Sequence, residues 1–291
     1  MPLTLQFTVR SDTGLVREAN EDSVYAAPHL LVVADGMGGH AGGEVASSLA
    51  VSHMARLRPV TAQDDPAAAL RAVILEGNSA IAQAVRDTPD LEGMGTTITA
   101  VLLEEDSDRF VVANVGDSRT YLMRADELVL LTRDDSLVQN LLDAGRITAA
   151  EAATHPQRSM VTKALVGDED LEPSLTLLET RPGDRFLLCS DGLTDLVGEP
   201  DLATAMQSPS REEAADRLVA LALDAGGHDN VSVVVADVVL DQDGTAAMAP
   251  WQSVPQHTTS PAQERRGRVS RFMYVLAGVA LIAAAAAYLL G

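Results

Sequence analysis

The sequence predicts an α+β fold: antiparallel sheets flanked by helices, followed by one apolar C-terminal helix that spans a membrane. Three observations carry this expectation. Short β-branched and apolar runs end repeatedly at Gly/Asp turns within the first 240 residues. Several of these runs are near neighbours with no helix between them, which favours antiparallel pairing over a doubly wound parallel sheet. Beyond residue 240 the composition changes, and 272–290 holds no charged side chain.

Taken in order, residues 30–34 form a short apolar run that stops at Asp35-Gly36 and reads as a strand. Residues 43–57 and 66–86 show helical spacing, abundant Ala and few breakers, so both are expected helices. Residues 96–103 and 110–115 are β-branched and apolar; the polar turn 104–109 joins them, and Gly116-Asp117 closes the second. Residues 185–190 form a further strand running into Asp191-Gly192. Residues 211–225 read as a helix, and 231–240, after Asp229-Asn230, as a last strand.

Residues 241–264 hold three prolines and few large apolar side chains, the composition of a flexible linker. Four arginines follow in a basic juxtamembrane segment, 265–271. The 19 residues of 272–290 would then make a helix of roughly 28 Å, about the hydrocarbon thickness of a bilayer. A buried core helix is the other reading of such a run. Its length and the flanking Arg265, Arg266, Arg268 and Arg271 favour a single-pass transmembrane helix, with residues 1–264 on the cytoplasmic side of the cell membrane.

Apolar residues make up 46% of the 291, enough for a sizeable core, while aromatics make up only 3%, so that core rests on Val, Leu, Ile and Ala. The first 240 residues hold 39 of the 42 acids and 17 of the 21 Lys and Arg residues, a net charge of −22. A surface that acidic repels nucleic-acid phosphates, so no nucleic-acid partner is expected. The single cysteine, Cys189, allows no disulfide within the chain and suits a reducing compartment. The N-terminus lacks a basic stretch followed by an apolar run, so no signal peptide is expected.

Aspartates recur at the ends of the expected strands, each beside a turn residue: Asp35, Asp117, Asp191 and Asp229. An isolated Asp-Gly is an ordinary turn. Four, each closing or preceding an apolar strand, suggest carboxylates converging where sheets pack face to face. Hard oxygen donors without His or Cys companions select Mg²⁺ or Mn²⁺ over Zn²⁺. The glycine cluster at 36–43 resembles a phosphate loop, but no Gly-Lys-Ser/Thr follows it.

Seven motifs appear in order: GLVREANEDS at 14–23, ADGMGGH at 34–40, GMGTT at 93–97, GDSR at 116–119, HPQRS at 155–159, CSDGLTD at 189–195 and Asp229-Asn230. Together they resemble the bacterial branch of the metal-dependent protein phosphatases, the protein phosphatase 2C family, over residues 10–240. The closest likeness is to membrane-anchored members that oppose bacterial Ser/Thr kinases. The resemblance implies a four-layer αββα sandwich as a catalytic domain over 1–240, with a two-metal centre at one edge. It implies that Asp35 bridges two Mn²⁺ or Mg²⁺ ions, that the Gly36 carbonyl binds one, and that Asp191 and Asp229 hold the other. It places Asp22 on metal-bound water and Arg17 on the substrate phosphate, and it makes Asp117 and the Ser159 carbonyl the positions of a third ion.

The implied reaction is hydrolysis of phosphoserine or phosphothreonine in proteins, kinases among them, by water activated between two divalent ions. Arginine suits the phosphate because its planar fork donates two parallel hydrogen bonds. A general acid must protonate the leaving alkoxide. His40 is the candidate, set against a loop histidine of no catalytic role, and Met37 stands where many eukaryotic members carry histidine. Residues 132–168 resemble the family's variable flap, in which Lys163 and Arg146 either help select phosphoproteins or are solvated surface. A cysteine-dependent phosphatase would need arginine six residues after Cys189, where Asp195 stands. Two other readings remain beside the active hydrolase. One is a membrane-tethered pseudophosphatase that binds phosphoproteins without turnover. The other is a Ca²⁺-binding module, which would gather its ligands within one loop.

Overall fold

The computed structural model of the protein describes residues 2–39, 42–61, 64–105, 107–241 and 251–253. Five strands form one antiparallel sheet: β1 (Leu3–Asp12), β8 (Arg119–Arg124), β9 (Glu127–Leu130), β11 (Arg185–Cys189) and β12 (Val231–Leu240), in the order β1-β12-β11-β8-β9. Six form a second: β2 (Ser23–Ala27), β3 (Leu30–Ala34), β6 (Ile98–Leu103), β7 (Arg109–Val115), β10 (Ser174–Glu179) and β13 (Trp251–Ser253), in the order β10-β7-β6-β3-β2-β13. A short ribbon pairs β4 (Gly36–Met37) with β5 (Gly95–Thr96).

The side-chain alternation of a strand explains how these sheets stack. Along β3, Leu31 and Val33 join Phe7, Phe110, Phe186 and Val234 in the core between the sheets. Leu30, Val32 and Ala34 face the other way, onto α1 (Gly42–Met54) and α2 (Pro66–Asp87). In β11, Phe186 and Leu188 point into the inter-sheet core. Leu187 and Cys189 point outward to a third cluster with Leu193, Leu202 and Leu218. These last come from α5 (Asp191–Thr194), α6 (Glu199–Met206) and α7 (Arg211–Asp224). Both faces of both sheets are therefore covered, giving the four layers expected. With few aromatics available, one ring pair contributes within the inter-sheet core: Phe110 and Phe186 lie 5.4 Å apart at 35°, a contact worth about 0.5–1.5 kcal/mol beyond its buried area.

The expected strands at 30–34 and 231–240 match β3 and β12 residue for residue. The run 96–103 is divided: Thr97 interrupts it, because its backbone N–H bonds the Asp35 carbonyl (2.9 Å) instead of a ladder partner. Residues 119–153 hold elements with weaker patterns, among them α3 (Leu137–Asp143) and α4 (Ala149–Ala153), which form the flap region. Within the segment expected to be a linker, Trp251–Ser253 pairs with Ala26–Val24 as an edge strand. The basic segment 265–271 and the expected transmembrane helix 272–290 lie outside the described residues. Among the described residues no helix is long and apolar enough to cross a membrane.

Candidate metal centre

The aspartates stand where strands end at one edge of the sandwich. Asp35 follows β3, and its backbone is fixed on both sides. Its N–H donates to Thr97 Oγ1 (3.2 Å), and its carbonyl accepts from Thr96 Oγ1 (2.8 Å) and Thr97 N–H (2.9 Å). Gly36 comes next, and no larger residue fits. A Cβ there would lie 2.2 Å from the Gly43 carbonyl oxygen and 2.5 Å from that of Glu21. This close approach brings the start of α1 against the loop that carries Asp22. Asp191 opens α5 directly after β11, and Asp117 sits in the turn between β7 and β8.

Asp22 is buried just before β2. Its Oδ2 accepts from Ser190 Oγ (2.8 Å), while its Oδ1 has no hydrogen-bond partner among the described residues. A buried carboxylate oxygen left unpaired is costly unless a cation or water meets it. Asp22 is pushed up to about 7, first by burial, with further upward pressure from Asp191 and Asp229. Burial also drives Asp35 well above the usual carboxylate range, and Asp22, Asp191 and Asp117 add to the effect. Asp117 reaches about 8 by burial and the fields of Asp191 and Asp134. Asp191 reaches about 6 by burial and Asp195, although a hydrogen bond with Asp35 opposes the rise. Four separate segments thus deliver carboxylates that repel one another.

Among the described residues, no three acidic, His or Cys side chains close to coordinating spacing on one point. Asp35 and Asp191 instead lie as neighbours, close enough that each shifts the proton affinity of the other. The donor chemistry nevertheless fits divalent cations. It consists of oxygen alone, it is crowded with like charge, and it contains a buried oxygen without a partner.

Arg17 and Asp229 meet at the rim. Arg17 Nη2 donates to Asp229 Oδ2 at 2.6 Å, with both side chains substantially exposed. The sequence-based roles assign one to phosphate and the other to a cation, so the structure brings them together in a pairing those roles do not include. Ser159 is exposed in the flap, and its hydroxyl donates to Asp195 Oδ2 (3.1 Å). Lys163 reaches Asp135 (3.3 Å) and the Glu172 carbonyl (3.2 Å), so it is tied within the flap region. His40 lies outside the described residues. Cys189 is fully buried, and burial pushes its thiol up to about 12, so it is no nucleophile at neutral pH.

Two supporting residues carry no role in the sequence reading. Asn230 binds the β1–β2 loop at three points: its Oδ1 accepts from Glu21 N–H (2.8 Å), and its Nδ2 donates to the Thr13 and Ala19 carbonyls (2.9 Å each). Ser190 orients Asp22 across 168 residues of sequence. Both stand inside recognised motifs, beside Asp229 and Asp191, and that adjacency was the available signal.

Residues 17–223 match the family model of protein phosphatase 2C. The chain is 54% identical over 237 residues to the serine/threonine protein phosphatase PstP of Mycobacterium tuberculosis, covering 81% of this chain and 46% of that relative. It therefore spans about half the length of that relative. It is 35% identical over 248 residues to the serine/threonine phosphatase Stp of Listeria monocytogenes, covering 82% and 98%. Among solved structures, the M. tuberculosis PstP/Ppp crystal structure is similar at 53% identity and a TM-score of 0.79, over 81% of this chain and all of that one. The catalytic domain of PstP in complex with two manganese ions is similar at 51% identity and a TM-score of 0.76, over 82% and 100%.

Proposed function

The chain belongs to the protein phosphatase 2C family, and on that premise we propose that it hydrolyses phosphoserine and phosphothreonine in proteins, with Mn²⁺ or Mg²⁺ as cofactor. The observation that carries this reading is the convergence of Asp22, Asp35, Asp117 and Asp191 into one mutually repelling group beside Arg17 and Asp229. Asp35, the Gly36 carbonyl, Asp191 and Asp229 would hold two cations, and Asp117 with the Ser159 carbonyl a third. When bound, the cations supply an acidified water and a positive field over the phosphoryl oxygens.

The chain's own groups do the rest. Arg17 sits on the exposed rim, where a phosphate arriving from solvent meets its guanidinium first. Asp22, held by Ser190, keeps one oxygen free to orient the attacking water and draw its proton. His40 is the proposed donor to the departing serine or threonine oxygen. The pseudophosphatase reading gains nothing from these positions, since Arg17, Asp22, Asp35, Asp117, Asp191 and Asp229 are all present. Full-length protein with Mn²⁺ should release phosphate from a phosphothreonine peptide, and excess chelator or Asp35→Asn should abolish it. Undiminished turnover in chelator would overturn the reading.

We also propose that residues 272–290 anchor the domain as a single-pass helix, with the catalytic unit facing the cytoplasm, where it would oppose membrane-bound kinases. The uncharged run and the four arginines before it support this. Full-length protein should sediment with membranes, and a chain ending at residue 264 should be soluble. Equal partitioning of the two would refute the anchor.

A further inference from the structure

A cavity of about 530 Å³ opens beside the candidate centre, and Asp117 and Asp191 belong to its wall. It runs from there between the flap and the sandwich, with Leu130 of β9, Val138 and Leu142 of α3 and Ala152 of α4 along its apolar side. The helix α3 carries Leu137, Val138, Leu141 and Leu142 on one face, yet none of its residues is buried. Leu130 is 37% exposed. These apolar surfaces therefore line open space next to the site of chemistry.

The charges on the wall are unevenly matched. Asp134 is held by Arg119 in a two-pronged pair (3.0 and 2.7 Å). Asp195 accepts from Ser159 and lies 3.9 Å from Arg158. Asp117 and Asp191 face the candidate centre. Glu199, at the start of α6, makes no hydrogen bond or ion pair among the described residues. The wall thus combines a half-exposed aliphatic surface with a free carboxylate at its edge, while its two cations, Arg119 and Arg158, lie against Asp134 and Asp195. A side chain with a long apolar stem and a cationic head is complementary to both features at once.

We propose that this cavity is the subsite for a lysine or arginine side chain flanking the phosphorylated residue of the substrate, and that Glu199 selects it. The inference rests on the phosphoprotein phosphatase reading. The stem lies along Leu130, Val138 and Leu142, and the cationic head meets Glu199, with Asp195 behind it. Because the cavity shares Asp117 and Asp191 with the centre, a residue close in sequence to the phosphoresidue reaches it while the phosphate is at Arg17.

The test uses the full-length chain with Mn²⁺ and phosphothreonine peptides in which one flanking position at a time carries Lys, norleucine or Glu. At one flank, Lys should exceed norleucine by about threefold to fivefold in kcat/KM, the scale of a solvent-accessible ion pair, and Glu should be the poorest. Glu199→Gln should bring Lys down to the norleucine level, and Glu199→Lys should favour Glu. p-Nitrophenyl phosphate carries no flanking cation for Glu199 to meet, so both variants should turn it over as the parent does, which also verifies their folding. A flat panel with good turnover, or a Lys preference that survives both substitutions, would overturn the subsite alone. Failure to hydrolyse any phosphopeptide would overturn the proposed function first, and the subsite with it.

Discussion

Asn230 directs every polar atom of its side chain at the loop that carries Arg17 and Asp22. It is 5% exposed, so water cannot replace those three bonds without the loop opening. Replacing it with Ala leaves a backbone N–H and two carbonyls short of partners, at a cost of roughly 2–3 kcal/mol. Arg17 makes the opposite case, because its bond to Asp229 is solvent-exposed, and its loss should shift stability by no more than about 0.5 kcal/mol. Asn230→Ala should therefore lower both the urea midpoint and kcat/KM, whereas Arg17→Ala should raise KM for a phosphothreonine peptide with the midpoint unchanged. Equal loss of stability in the two variants would mean that Arg17, too, is structural. Supporting residues such as Asn230 are hard to read from sequence because their effect is to hold backbone. An asparagine after an aspartate at a turn carries no pattern that separates a three-point clasp from a solvated turn.

The elements legible in the sequence are those whose environment imposes a period. β3 and β12 are covered on both faces, so β3 reads as an unbroken apolar run and β12 as one interrupted only by Ser232 and Asp237, each next to an Asp-containing turn. α2 announces itself by Asp65-Pro66 before an Ala-rich, amphipathic stretch, and the Asp65 carboxylate does accept from Ala67 and Ala68 N–H (3.0 and 3.1 Å). By contrast β9 and β10 are largely exposed edge strands, and α3 and α4, at seven and five residues, are too short for a helical period to stand out. β13 escapes notice for another reason: its three residues, among the four between Pro250 and Pro255, carry no strand signal, and only the open edge of β2 makes them one. The aspartates of the centre were legible because each stands at the boundary of a strong element. The cavity under the flap was not, since it is built from the weak ones. The cap gives a test at this scale. Asp65→Ala should destabilise the domain by about 1 kcal/mol, without changing KM, because the Asp65 side chain is exposed and caps the helix start without touching any residue of the candidate centre. A change below about 0.3 kcal/mol by chemical denaturation would show that Pro66 and packing suffice to start the helix.

At the scale of the whole molecule, charge sets the behaviour. The chain carries a net −21, and its most confined carboxylates are gathered at one edge of the sandwich. Burial and mutual repulsion raise Asp22 to about 7, Asp117 to about 8 and Asp191 to about 6, with Asp35 also well above normal. In the unfolded chain the same groups ionise near about 3.9. Between that value and the folded ones, the folded protein holds more protons than the unfolded one, so without cations stability must fall as pH rises from about 4 towards about 8. Divalent cations bind the ionised carboxylates and displace those protons, so their stabilising effect grows over the same interval. The melting temperature in chelator should therefore decline from pH 5 to pH 8, and Mn²⁺ should raise it more at pH 8 than at pH 5. Repulsion across the rest of the acidic surface also contributes a slope, but that part is common to both conditions and cancels in the difference. Asp35→Asn removes one of the crowded charges and a proposed ligand together. It should shrink the Mn²⁺-dependent difference while raising the metal-free melting temperature at pH 8. An Mn²⁺ effect of the same size at both pH values, or one undiminished in Asp35→Asn, would place the cations somewhere other than among these aspartates.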